Sequence, residues 1–253
     1  MDFTGKRVLI TGSSRGIGRA AAEVLLAAGA TVAVNGRSAA STAEGIAALG
    51  GGERLVAAPG DVGTVAGCNA IVATAVAAMG GLDVLVNSAG IGDSRPMAAC
   101  DEAMWDATMN INLKGTFFCI QAAFPHLKKA RGNIVNVASD AGLIGEKGLS
   151  VYCASKAGVV NLTRALALEM APEVRINSVC PGYVDTDMVR RDGIEQAADP
   201  RAAEQALLDY TPLRRLAQPI EIGKAIAYLA SDDAVFITGA ALQIDGGTTA
   251  GHP

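Results

Sequence analysis

Apolar residues in this chain come in short blocks separated by longer segments of helical spacing. Arg7 to Thr11, Thr31 to Asn35, Arg54 to Ala58 and Asp83 to Val86 each read as a short apolar strand. Gly132 to Ser139, Glu173 to Val179 and Ala241 to Asp245 read the same way. Between them, apolar positions three and four apart predict helices over about Arg19 to Ala28, Ser41 to Leu49, Thr64 to Met79, Asp101 to Lys129, Tyr152 to Met170 and Pro219 to Ser231. The helix from Thr64 is nearly all alanine, valine and isoleucine, so it is expected to be substantially covered. From Asp187 to about Leu216 the chain turns polar and charged with no strand, which predicts an excursion over the surface. Strand and helix alternate from end to end. The fold class that follows is α/β: a Rossmann-type doubly wound parallel sheet of about seven strands, with helices on both faces. No linker, repeat or low-complexity segment interrupts it, so residues 1–253 are expected to form a single domain.

Composition narrows the functions open to such a fold. The chain has 253 residues, half of them hydrophobic, and a formal net charge of −4. That balance argues against nucleic acid or an anionic membrane as the main partner. No apolar run is long enough to span a bilayer, and the N-terminal stretch lacks the apolar core of a signal peptide. Cys68, Cys100, Cys119, Cys153 and Cys180 form no Cys-x-x-Cys pair, and His126 and His252 are the only histidines, so a metal site is not expected. The cysteines read as small buried hydrophobes in a reducing cytoplasm. Cys153 adjoins Tyr152 and either lines a pocket there or packs.

Three stretches carry chemistry. Between the first strand and first helix stands Gly12-Ser13-Ser14-Arg15-Gly16-Ile17-Gly18. Glycines at a strand-to-helix turn let backbone approach a pyrophosphate, and the helix N-terminus offers it free N–H groups. The spacing is Gly-x-x-x-Gly-x-Gly rather than the commoner Gly-x-Gly-x-x-Gly. After the second strand, Gly36-Arg37-Ser38 offers no acid for an adenosine ribose. Arg37, with Arg15 on the neighbouring loop, instead suits a 2′-phosphate, the alternative being two solvated surface arginines. The third stretch runs from Ser139 to Lys156. Tyr152 and Lys156 are four apart, which puts them on one helical face. Lowering a phenol from near 10 to about 7 takes roughly 4 kcal/mol of charge stabilisation, within reach of one lysine and a cationic nicotinamide in a dry pocket. Asn112 and Gly115 inside the long predicted helix both carry a propensity cost. Either the helix distorts there, exposing a carbonyl to a bound water, or Asn112 lies on an exposed turn. Asp61 ends the third strand and can cap the next helix or bond an adenine amine.

Taken together, these residues resemble the short-chain dehydrogenase/reductase family from end to end. Thr11-Gly12-x-x-x-Gly16-x-Gly18, Asn87-x-Ala89-Gly90, Ser139, Tyr152-x-x-x-Lys156, Pro181-Gly182 and Thr186 fall in the family's order and spacing, and Asp245-Gly246-Gly247 resembles its usual ending. The resemblance implies that Tyr152 is the general acid in carbonyl reduction and the base in alcohol oxidation. It implies that Lys156 holds the nicotinamide ribose and lowers the tyrosine's pKa, that Ser139 orients the substrate oxygen, and that Asn112 holds a water linking Lys156 to solvent. Gly12, Ser14, Arg15, Gly16, Ile17, Gly18, Arg37 and Ser38 would hold the phosphates. Asp61 and Val62 would meet adenine, while Asn87, Ser88, Ala89 and Gly90 would flank the cofactor. Pro181, Gly182 and Val184 would line the nicotinamide and Thr186 would meet its carboxamide. Ser88 stands where a second asparagine is frequent, which weakens a side-chain contact there. The segment 187–216 would be the substrate lid. The helices around Asn112 to Lys129 and Tyr152 to Met170 would build a homodimer or homotetramer.

The expected function is therefore that of a cytoplasmic oxidoreductase that interconverts a small ketone or aldehyde and its alcohol, preferring NADP(H), with NAD(H) possible. Among such proteins the pattern is like that of 3-oxoacyl-carrier-protein reductases. However, Glu173 occupies a place where those often carry a base for an acidic carrier, against which Lys128, Lys129 and Arg131 are the basic residues on offer. The rival readings are an NAD-preferring sugar or polyol dehydrogenase and a non-catalytic NADP-binding regulatory protein.

Overall fold

Strands that are apolar throughout must be covered on both faces, and the alternating helices do this. In the computed structural model, which describes residues 1–251, seven strands form one sheet: β1 (Arg7–Thr11), β2 (Thr31–Val34), β3 (Leu55–Ala57), β4 (Val84–Asn87), β5 (Asn133–Val137), β6 (Arg175–Pro181) and β7 (Ala241–Ile244). Every neighbouring pair is parallel, in the spatial order β3-β2-β1-β4-β5-β6-β7. The helices are α1 (Gly16–Ala27), α2 (Ala39–Ala48), α3 (Val65–Met79), α4 (Glu102–Met109), α5 (Gly115–Ala130), α6 (Ser150–Met170), α7 (Pro200–Tyr210) and α8 (Pro219–Ala230). His252, one of the two histidines weighed as metal ligands, lies outside the described residues.

Successive strand residues face opposite ways, so each strand feeds two cores. Val8, Ile10, Val34 and Val86 meet Leu25 of α1 and Ile222 and Ile226 of α8 on one side. Leu9, Leu85 and Ile134 meet Ile71 of α3, Ile120 and Leu127 of α5 and Leu166 of α6 on the other. Each fully buried leucine or isoleucine contributes about 1.5–3 kcal/mol. The winding reverses between β1 and β4, leaving a crevice beyond their carboxyl ends, where such sheets take ligands.

Several elements differ from the sequence expectation. Gly16, Ile17 and Gly18 belong to α1, which begins three residues early because the glycine turn closes directly into the helix. The covered face of α3 is a stripe of Cys68, Ile71, Val72 and Ala75, and its other alanines face solvent, where a methyl group costs little. The long helix expected from Asp101 is broken into α4 and α5 by a π-helical turn at Asn110–Lys114. β6 is shifted two residues along, ending at Pro181. The polar segment after Asp187 is not irregular throughout: Asp199 accepts from the N–H groups of Arg201 and Ala202, and Pro200 opens α7. Cys68, Cys119 and Cys180 are buried as expected, whereas Cys100 and Cys153 are half-exposed.

At the opposite edge from the crevice, Arg7 and Asp83 join the entrances of β1 and β4. Arg7 Nε lies 2.7 Å and its backbone N 2.8 Å from Asp83 Oδ2, and Nη2 lies 3.0 Å from Oδ1. Burial pushes the Asp83 carboxyl up, but the bonds from Arg7 outweigh it and hold the pKa below its ordinary value. This stabilisation is whole above the unfolded value of about 3.9 and is lost as pH falls through the lower folded value. Asp83→Ala should cost about 1.5–3 kcal/mol at neutral pH, with the gap to the unmutated chain closing as pH drops below about 4; denaturant titrations across that range measure it.

Candidate active site

The first wall of the crevice is a backbone junction. A Cβ placed on Gly12 would stand 2.6 Å from Ala89 Cα, and one on Gly18 would stand 2.5 Å from the Gly12 carbonyl oxygen. Only glycine permits that closeness. Thr11 Oγ1 accepts from the N–H groups of Ser88 (3.1 Å) and Ala89 (3.2 Å), tying the loop after β4 to the turn after β1. Asn35 supports the same turn: its Oδ1 accepts from Gly12 N at 3.0 Å and its Nδ2 donates to the Ala58 carbonyl at 2.9 Å. From the sequence Asn35 is only the end of a strand, and this role is not legible there. Its signal was an amide in the last position of an otherwise apolar strand.

α1 starts at the junction with no side chain capping its N-terminus and no acid in its first turn, so its free N–H groups are open to an anion. Ser14 backs onto α2, where a Cβ on Gly45 would come 2.7 Å from Ser14 Cα. Arg37 and Ser38 follow β2. Arg37 is exposed and, among the described residues, makes no ion pair or hydrogen bond. Ser38 caps α2, its Oγ accepting from Ser41 N at 3.2 Å. Arg15 Nη1 lies 3.4 Å from Asp187 Oδ2, so it joins the glycine turn to the start of the polar segment. Asp61 and Val62 stand between β3 and α3. Asp61 Oδ1 accepts from Gly63 N at 2.9 Å, while the side-chain cap of α3 is Thr64 rather than Asp61.

The second wall is built by α6 and the π turn. Asn112 is 1 % exposed, which excludes the exposed turn weighed as an alternative. Its Nδ2 donates to the Ile91 carbonyl (2.9 Å) and to Ser155 Oγ (3.0 Å), and its Oδ1 accepts from Ile91 N (2.9 Å). Ser155 Oγ in turn donates to the Tyr152 carbonyl at 2.8 Å. The side chain thus binds the loop after β4 to the first turns of α6. Its own carbonyl accepts the Thr116 hydroxyl at 2.8 Å.

Lys156 is buried, with Nζ donating to the Val137 carbonyl at 2.9 Å and standing 5.6 Å from the centre of the Tyr152 ring. A Cβ on Gly90 would lie 3.4 Å from both Lys156 Nζ and Asn112 Oδ1, so glycine keeps the space between loop, lysine and asparagine clear. Ser139 is buried beside them. Its Oγ donates to Asp140 Oδ1 at 2.9 Å and accepts from Ala141 N at 3.2 Å. Burial pushes the Tyr152 phenol up to about 12, with Ser139 acting the other way and the Asp140 and Glu146 carboxyls adding to the rise. Burial also brings Lys156 down to about 8. Desolvation is thus the first cause of both shifts, raising the phenol and lowering the amine.

Asn87 ends β4, held by Nδ2 donating to Asn136 Oδ1 at 2.9 Å, while Asn136 Nδ2 donates to Thr163 Oγ1 at 2.9 Å. Asn87 Oδ1 is buried without a hydrogen-bond partner among the described residues. Pro181 ends β6. Gly182 lies against Asp245, Val184 bridges to Ala217, and Thr186 Oγ1 donates to the Val184 carbonyl at 3.3 Å. All the residues named from the sequence thus lie on the carboxyl side of one sheet. Those missed are Asn35, Asn136, Ser155, Asp140 and Glu146, most of which act through partners distant in the chain.

The open helix terminus, the clear space at Gly90 and the orphaned Asn87 oxygen fit a bound dinucleotide, and the fold with this cleft defines a dinucleotide-dependent enzyme. A family model described as enoyl-(acyl carrier protein) reductase matches residues 12–249. Meso-2,3-butanediol dehydrogenase of Serratia marcescens is 38% identical over 251 residues, covering 99% of this chain and 97% of that one. The 3-oxoacyl-[acyl-carrier-protein] reductase of Staphylococcus aureus is 37% identical over 246 residues, covering 96% and 97%. Among solved structures, the ligand-free aldohexose dehydrogenase of Thermoplasma acidophilum superposes with a TM-score of 0.89 at 31% identity, covering 99% of this chain and 96% of that one. The chain belongs to the short-chain dehydrogenase/reductase family and is an NAD(P)-dependent oxidoreductase of alcohols and ketones. No helix among the described residues is long and apolar enough to cross a membrane.

Asn35→Ala should lower the unfolding free energy by about 1–3 kcal/mol, because it strands the Gly12 N–H and the Ala58 carbonyl. Chemical denaturation reads this directly; a loss below a few tenths would mean the turn holds itself.

Proposed function

We propose that the protein interconverts a ketone or aldehyde and the corresponding alcohol with NADP(H), using Tyr152 as general acid and base. The observation that carries this is that Lys156 Nζ stands 5.6 Å from the centre of the Tyr152 ring and faces Gly90 together with Asn112 Oδ1, while the buried Ser139 acts on the Tyr152 phenol. The phosphates would be held by Gly12, Ser14, Gly16, Ile17 and Gly18 at the start of α1. Asp61 and Val62 would flank adenine, and Asn87, Ser88, Ala89 and Gly90 would line the middle of the cleft. Pro181, Gly182, Val184 and Thr186 would border the nicotinamide, which when bound would supply or take the hydride and, in its oxidised form, a positive charge. Tyr152 gives its proton to the carbonyl oxygen as that oxygen gains charge, and takes it back from the alcohol in the reverse direction. A phenol near 12 stays protonated but gives up its proton reluctantly; the Lys156 ammonium beside it eases donation in reduction, and the oxidised nicotinamide would add further positive charge in oxidation. Ser139 positions the same oxygen. Lys156 binds ribose hydroxyls, and Asn112 keeps a water in line with it for proton supply.

Residues 187–216 would act as a lid over a single domain. Support comes from Met188, whose Sδ converges with the Tyr152 ring over Gly92, and from the edge-to-face contact of Tyr183 with Tyr210 of α7 at 6.2 Å. Arg190 ties the segment down through Asp185 and Glu204. Leu168 on α6 and Phe117 on α5 are exposed, which supports pairing of these helices in a homodimer or homotetramer.

NADP(H) is preferred in this reading because Arg37 is uncommitted and no acid follows β2. A second reading, an NAD-preferring sugar or polyol dehydrogenase, draws on the Arg15–Asp187 pair, which takes one guanidinium away from a 2′-phosphate. Similarity to butanediol and aldohexose dehydrogenases suits it too. Docking of an acidic carrier is disfavoured: Lys128 is already paired with Glu173 at 3.3 Å.

Tyr152→Phe should lower turnover roughly 100- to 10,000-fold while NADPH affinity, followed by its fluorescence, stays within a few-fold. More than a tenth of the activity retained would contradict the role. Arg37→Asp should shift the NADP:NAD preference in kcat/KM by roughly tenfold to a hundredfold towards NAD, and an unchanged ratio would place the phosphate elsewhere.

A further inference from the structure

The loop after β4 brings a residue that the mechanism does not use up to the tyrosine. A Cβ built on Gly92 would stand 3.4 Å from Tyr152 Cε2, 3.5 Å from its Cδ2 and 3.4 Å from Met188 Sδ. Cε2 is bonded to the ring carbon that bears the hydroxyl, so this edge of the ring adjoins the proton that is given. Gly92 and Tyr152 are half-buried and Met188 is exposed, so the gap between loop, ring and thioether is reached from solvent. The backbone of Gly92 is not left-handed, and the added carbon would make ordinary contacts only, so neither strain nor a clash demands glycine here. What the missing side chain leaves is room.

Both borders of that room are pinned. Ile91 is held at its N–H and its carbonyl by the Asn112 amide, at 2.9 Å each, and Arg95 N donates to the Gly148 carbonyl at 2.8 Å. Across the gap, Val189 N and Arg190 N donate to the Thr186 carbonyl at 3.1 and 2.8 Å, closing a turn around Met188. Arg190 is fixed in turn by Asp185 and Glu204. Only the Met188 side chain is free to adapt.

We propose that Gly92 and Met188 set the size of one substituent on the reacting carbon, and that the gap takes a methyl group. The substrates are then methyl ketones and their secondary alcohols, with the larger substituent directed away from Gly92. This rests on the oxidoreductase reading of the site and names its substrate class. A substrate oxygen in reach of the Tyr152 hydroxyl puts the reacting carbon one bond farther out, with a substituent along the Cε2 edge. One carbon added to Gly92 would touch both ring and thioether, so the gap is one carbon from closed. A methyl group fits beside glycine, an ethyl group meets Met188, and an aldehyde places only hydrogen there.

Three five-carbon carbonyl compounds test this, followed at the nicotinamide absorbance with both cofactors: 2-pentanone, 3-pentanone and pentanal. One carbon too many in an apolar pocket costs roughly 10- to 200-fold. In the unmutated enzyme kcat/KM for 2-pentanone should therefore exceed that for 3-pentanone by roughly tenfold or more. Gly92→Ala should lower the ratio of 2-pentanone to pentanal by roughly tenfold or more, because the aldehyde does not need the space. Met188→Ala should raise 3-pentanone relative to 2-pentanone by a similar factor, and it carries the test if Gly92→Ala does not fold. NADPH affinity, followed by its fluorescence, should stay within a few-fold in both variants. Smaller changes in these ratios overturn the proposal, as does a collapse of NADPH affinity, which would mean that these positions act on the cofactor. Carbonyl reduction by the unmutated enzyme persists in all those cases. If instead NADPH binds and none of the three compounds is reduced, the oxidoreductase reading falls and takes this proposal with it.

Discussion

The cleft depends on one amide. Asn112 sits in a helix that cannot stay α-helical around it, and the widened turn lets its side chain leave the helix and make three bonds elsewhere. Two go to the backbone of Ile91, which anchors the loop after β4. The third goes to Ser155, which in turn holds the Tyr152 carbonyl. One buried group thereby sets the distance between the cofactor side of the crevice and the helix that carries the phenol and the ammonium. Burying an amide without all its partners is expensive. That cost makes the arrangement specific: another placement of the π turn against α6 would leave the Asn112 amide unmet.

Burial has a second consequence, felt in charge. Tyr152 and Lys156 are both taken out of water, and desolvation moves each towards its neutral form, the phenol up to about 12 and the amine down to about 8. The carboxyls of Asp140 and Glu146 push the phenol further the same way. What lies beside each group therefore sets how firmly it holds its proton.

Much of the architecture was legible beforehand because it repeats. Seven apolar blocks with helical spacing between them allow little besides a parallel sheet covered on both faces. The glycine turn, the Tyr152–Lys156 spacing and Ser139 were legible for a local reason: their chemistry depends on neighbours one turn or one loop away. Asn35, Asn136 and Ser155 escaped notice because each acts on a partner far along the chain. The covering of α3 was overestimated, since alanine on an exposed face carries almost no penalty. The pairing of Arg15 with Asp187 arises from a segment whose path local pattern does not describe.

What the sequence alone determined is therefore the order of elements and the class of fold, because periodicity and short-range spacing encode these directly. Tertiary structure decided the rest. It placed Gly12 against Ala89, opened the π turn, stranded an oxygen on Asp140 and set the direction in which Tyr152 and Lys156 titrate. Each of these follows from which distant atoms exclude water from a group, and that is settled only when the chain has closed.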